Sequence, residues 1–150
     1  MTDLESIRQE IVDRLYDIPD IGRVHGYQPY LRNEQRLRDL YVENGLLCGW
    51  YVRRIATQES SPAVGRRVET HTWLVWGVMA LSEDGESELA FDGLIEEIRD
   101  RFRADEDLGG DVTTVTQEWA GMQVDNAEPV LFCGVLCHSV RLLLRTVVYR

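Results

Sequence analysis

The closing stretch Pro129 to Tyr149, PVLFCGVLCHSVRLLLRTVVY, limits the fold more than any other part of the chain. Beyond Pro129 it is rich in Val and Leu, with one Gly and no acid. Its length would suit a membrane span, but His138, Ser139, Arg141 and Arg145 interrupt it, and charge at a bilayer centre is costly. It therefore reads as a long strand, with Gly134 as the place to bend. Val130, Phe132, Leu136, Val140, Leu142 and Leu144 share one parity and form the more apolar face. Cys133, Val135, Cys137, Ser139, Arg141 and Arg145 share the other, a polar face that suits an open or partner-facing side. A terminal strand this long predicts the centre of an antiparallel sheet, covered by the rest of the chain.

Elsewhere the periodicity alternates between helix and strand. Leu4, Ile7, Ile11, Val12, Leu15 and Ile18 recur at helical spacing and predict a helix over residues 3–17, with Thr2 and Glu5 as a capping box. Pro19 and Gly22 end it. A short strand over 24–27 follows, then a short helix carrying Leu37, Leu40 and Tyr41, and an Asn44-Gly45 turn. Residues 47–58 and 68–81 read as the two strands of a long hairpin, joined by the loop ESSPAVG and the pair Arg66-Arg67. Ser87 is the expected cap of a second long helix over 88–103, whose stripe is Phe91, Leu94, Ile95, Ile98 and Phe102. Residues 112–119 read as a Thr-rich strand and Asp125 to Pro129 as a loop. The sum, over residues 1–150, is one α+β domain. It predicts a mainly antiparallel sheet of about four long strands, packed by two or three helices.

Charge narrows the function classes. The chain has 26 acids against 16 bases, all Arg, for a net charge of −10. That balance argues against ordinary nucleic-acid binding, which needs a basic footprint. Between Glu83 and Asp111 there are 12 acids and 3 Arg, whereas from Pro129 onward there are 3 Arg and no acid. Such asymmetry reads first as a solvated face and second as an end that meets another subunit. Three cysteines, an odd number, follow an N-terminus without an apolar leader. The expectation is synthesis in a reducing cytoplasm, with thiols packed as small hydrophobes and no membrane association.

No motif compels an enzyme. Cys133, Cys137 and His138 spell C-x3-C-H, but on a strand the two thiols point one way and the imidazole the other, and no second zinc-like Cys pair occurs. His71 lacks an accompanying nucleophile motif and reads as a hydrogen-bonded sheet histidine. Glu96-Glu97 and Asp105-Glu106-Asp107 match no EF-hand spacing and read as solvated helix acids. Trp50, Trp73, Trp76 and Trp119 read as core or interface. The chain is expected to hold no catalytic, cofactor or metal site.

The order and pattern of these segments resemble the tail-terminator and tail-completion (head–tail joining) proteins of tailed bacteriophages. The segments concerned are IRQEIVDRLYDI with IGRVHGY, the paired CGWYVRRIA and WLVWGVMAL, the acidic FDGLIEEIRDRF and the closing CHSVRLLLRTVVY. Residues 31–42 and 59–68 fall outside the likeness. The resemblance implies a structural virion protein, made in the host cytoplasm and without a cofactor. Its subunits would form a ring, commonly of six, that caps the tail tube, joins it to the neck and ends polymerisation of tube and sheath. Its partners would be its own copies, the tube, in some cases the sheath protein, and the neck, while genomic DNA passes through the lumen without specific binding. Composition adds candidate contacts. The loop from Glu59 to Val68, with Ser60, Ser61, Pro62, Arg66 and Arg67, has little to bury and reads as an arm toward a neighbour. Arg141 and Arg145 on the polar face of the closing strand are the others. Two alternatives stand beside this reading: another neck or tail-tube component, and a small cytoplasmic ligand-binding protein or enzyme that uses the tryptophans.

Overall fold

Two amphipathic helices lie on one face of a single sheet. The computed structural model describes residues 3–110 and 112–150. Helix α1 (Leu4–Tyr16) buries Ile7, Ile11, Val12 and Leu15. The expected cap Thr2 lies outside the described residues, as does Asp111. Asp3 is the N-cap, its carboxylate accepting from the Ser6 backbone N–H at 2.7 Å. Helix α3 (Glu86–Arg103) buries Phe91, Leu94, Ile95, Ile98 and Phe102. Burial of each such side chain stabilises by about 1.5–3 kcal/mol, so these two stripes anchor both helices. Between them comes a short α2 (Glu34–Asp39), capped by Asn33.

The described strands are β1 (Arg23–His25), β2 (Val42–Glu43), β3 (Leu46–Ser60), β4 (Val68–Ala80), β5 (Val112–Thr113), β6 (Gln123–Phe132) and β7 (Val135–Tyr149). Their order is β1-β3-β4-β7-β5, with β2 also on β3 and β6 also on β7. The α+β class and the single sheet agree with expectation. The count of about four strands does not: the sheet has seven, and it is mixed because β1 runs parallel to β3. The parallel pairing arises because α2 and β2 carry the chain back across the sheet before β3 begins. The long β3–β4 hairpin is as predicted, although β3 runs to Ser60.

The closing run is corrected most. It is not one bent strand but a hairpin, β6 and β7, whose two-residue turn is Cys133-Gly134 at φ 49° and 82°. These positive φ values mark a type I′ turn. The reversal also reassigns faces. Val140, Leu142 and Leu144 face the helices, but Val130 and Phe132 belong to a second cluster on the opposite face. That cluster, with Tyr41, Tyr51, Leu74, Val78 and Cys137 at its centre, fills one end of what was expected to be a polar side. Residues Asp125 to Pro129, expected as a loop, lie inside β6. Pro129 is tolerated there because β6 is an edge strand, and a register shift at Asp125 absorbs one residue.

Two further expectations are overturned by local hydrogen bonding. The strand over 112–119 shrinks to Val112–Thr113. Thr113 Oγ1 donates to the Val115 carbonyl, and Thr114 donates to the Glu106 carbonyl through both N and Oγ1. Such local bonds compete with a ladder. Ser87 does not cap α3: the N-cap is Gly85, and Asp84 Oδ1 accepts from the Glu86 N–H at 3.0 Å.

Candidate interaction surface

The β3–β4 hairpin outruns the core. Every β3 residue from Arg53 to Ser60 is exposed, whereas Leu47 to Val52 are buried. No strand among the described residues pairs with the outer edge of this distal half, since β1 ends opposite Tyr51. The hairpin is thus an arm with one open edge, because β7 follows β4 along its whole length, from Cys137 opposite Ala80 to Tyr149 opposite Val68 at the tip. At the tip, Ser61 Oγ donates to the carbonyls of Ala63 and Arg66, and the Arg66 N–H returns to Ala63. The tip is therefore a folded turn. It displays Val64, which is fully exposed, next to Arg66 and Arg67. Arg67 lies 3.8 Å from both Glu59 and Glu69, whereas no ion pair of Arg66 occurs among the described residues.

The seven expected contact residues fall into two groups. Ser60, Ser61, Pro62, Arg66 and Arg67 gather at the arm tip. Arg141 and Arg145 stand on β7 opposite Trp76 and Thr72, away from that tip. Both are engaged within the chain: Arg141 reaches Asp125 at 3.4 Å, and the Arg145 guanidinium lies 4.4 Å above the Trp119 ring.

The candidate chemistry disperses in the same way. Cys133 sits in the hairpin turn, Cys137 is buried in the second cluster, and His138 faces α3. No three His, Cys, Asp or Glu side chains converge among the described residues. The His138 Nε2 is 2.8 Å from Ser87 Oγ, but that hydroxyl also accepts from the Ser82 N–H. His71 is buried midway along the arm, with Thr57 Oγ1 at 2.8 Å from Nδ1 and Glu69 Oε2 at 3.5 Å from Nε2. Burial lowers its pKa, Glu69 opposes that shift, and the Arg54 and Arg150 charges add to it. A neutral imidazole that fastens two strands is the result. Trp50 and Trp73 are fully buried under the helices, while Trp76 stacks on Tyr51 across the sheet. The indoles do not share a ligand site.

At the other end of the sheet lies a cleft of about 320 Å³ between the start of α3 and the β6–β7 hairpin, lined by Phe91, Ala127, Pro129 and His138. Glu88 and Asp92 stand on its α3 rim. Beyond it Leu131 and Leu136, paired across the hairpin, are 74% and 53% exposed, and the Leu81 N–H bonds the Leu136 carbonyl. Sequence reasoning missed this patch because a single closing strand would have separated Leu131 from Leu136. It also passed over Val64, an isolated apolar residue in a polar loop. No helix among the described residues is long and apolar enough to cross a membrane. No protein-family model matches the chain, and no curated protein matches it either.

Proposed function

We propose that the chain is a structural virion protein whose copies form a ring at the end of a phage tail tube. There it joins tube to neck and ends tube and sheath polymerisation. One observation carries the reading: the distal half of β3 exposes every residue from Arg53 to Ser60 along an edge that β1 does not cover. An open strand edge of this length presents unpaired backbone N–H and C=O groups and gains from a partner surface. The acidic α3 supports it too. Its buried stripe leaves Asp92, Glu96, Glu97 and Asp100 toward solvent, where they would repel DNA phosphate in a lumen. The pattern resemblance supplies the identity of the particle. The protein acts without a cofactor and carries out no catalysis.

Light scattering and negative-stain microscopy of the purified protein test this. Closed rings that block further polymerisation of purified tube protein are the expected result. A monomer at every concentration would overturn it, and would favour a ligand-binding role instead.

A further inference from the structure

We infer that the arm tip of one copy docks into the α3–β6–β7 cleft of the next, so that subunits join head to tail. This rests on the ring reading above and names the surface it leaves open. The two surfaces lie at opposite ends of one sheet. Strand β4 starts at the arm tip with Val68 and ends beside the cleft with Ala80. Its 13 residues span roughly 40 Å at about 3.3 Å each. A chain therefore cannot seat its own tip in its own cleft, and the occupant is a second copy.

The surfaces match in chemistry. The tip offers one exposed apolar side chain, Val64, flanked by Arg66 and Arg67. The acceptor offers apolar surface at Leu81, Leu131 and Leu136, continuous with a cleft whose rim carries Glu88 and Asp92. Neither of these carboxylates forms an ion pair among the described residues, nor does Arg66, so tip and rim carry unmatched charges of opposite sign. Seating Val64 on the leucines would bring both arginines to the rim. Because donor and acceptor are different patches, the contact is heterologous, and repetition closes a ring or extends a filament.

Charge reversal tests it. Arg66→Glu/Arg67→Glu alters the tip and Glu88→Arg/Asp92→Arg alters the rim, all at exposed positions. Each double variant alone should need at least tenfold more protein to assemble, as read by sedimentation velocity. Mixed in equal amounts they should assemble again, because each one's tip then complements the other's rim in alternation. Should either variant lose its native circular dichroism, Val64→Cys/Leu131→Cys in a Cys133→Ser background serves instead. Oxidised, it should give a ladder of covalent oligomers, and either single cysteine should not. Wild-type protein that assembles while both reversed variants assemble equally well, or fail to rescue each other though folded, overturns this contact and leaves the ring reading intact. Wild-type protein that never assembles overturns both.

Discussion

The indole of Trp50 lies flat over Gly77 of the neighbouring strand: a β-carbon at residue 77 would sit 2.1 Å from Trp50 Cζ3. The two residues are direct cross-strand partners, and the far side of the ring stacks on Phe91 of α3 at 5.6 Å. The ring is thus held between sheet and helix, with no room to retreat. Gly77→Ala should lower stability by about 1–3 kcal/mol through overpacking, read from the urea midpoint. Adding Trp50→Leu should recover part of that loss, because the two changes meet in one space. A Gly77→Ala variant as stable as wild type would contradict this packing.

Cys133 occupies a position that favours other residues. Among the described residues two tight hairpin turns have paired positive φ, Asn44-Gly45 at 54° and 79° and Cys133-Gly134 at 49° and 82°. The first was legible because Asn-Gly is the preferred type I′ pair. The second was not, because Cys gives no turn signal, so two strands merged into one. Cys133→Asn should raise stability by about 0.5–1 kcal/mol, since Asn tolerates the left-handed region better. An unchanged or lower melting temperature would count against the turn assignment.

Legibility elsewhere followed the same division. Both long helices were readable because their stripes, Ile7-Ile11-Leu15 and Phe91-Leu94-Ile98-Phe102, repeat at one period and are buried as written. Pairing partners carry no such signal. Nothing in Arg23-Val24-His25 announces a parallel neighbour, and nothing in Asp125 to Pro129 announces an edge strand that tolerates proline. The arm was legible as a hairpin, while its apolar acceptor depended on a reversal the sequence does not advertise.

Arg14 of α1 joins the helix layer to the loop after α3. Its guanidinium reaches Asp105 Oδ2 through Nε at 2.9 Å and Nη2 at 2.7 Å, and it also contacts Glu10. Burial pushes the Asp105 carboxyl up, but bonds and charge from Arg14 more than offset this and hold it below the usual range. The unfolded carboxyl therefore takes up its proton first as pH falls. The pair's contribution is present above the ordinary Asp value and is lost as pH drops through the folded one. Asp105→Asn should cost about 1.5–3 kcal/mol at pH 7, the range for hydrogen bonds to charged groups. Chemical denaturation at pH 7 and near pH 3 should show the gap between variant and wild type narrowing in acid. A gap independent of pH would contradict the assignment.

His71 makes the arm sensitive to mild acid. It pairs with Thr57 across the hairpin, and its ring is enclosed by Thr57, Glu69 and the edge of Trp73, with Arg54 and Arg150 acting on it through their charge. Burial is the largest influence and lowers its pKa. Glu69 works against that, but the two arginines work with it. The folded imidazole thus resists a proton that the unfolded chain accepts at histidine's ordinary value near 6.5. Between those two values the unfolded state binds more protons, so stability rises with pH and falls on acidification. The loss should begin as pH drops below about 6.5 and continue down through the folded pKa. Melting temperatures of wild type and His71→Gln, followed from pH 7.5 to 5, should diverge. Wild type should lose more over that interval, because the variant's amide does not titrate and every other titratable group is shared by the two proteins. Local opening of the arm should follow the same course, with hydrogen exchange at residues 54–60 and 68–72 accelerating in wild type first. Parallel melting profiles for the two proteins would show that His71 is not the group that senses acid.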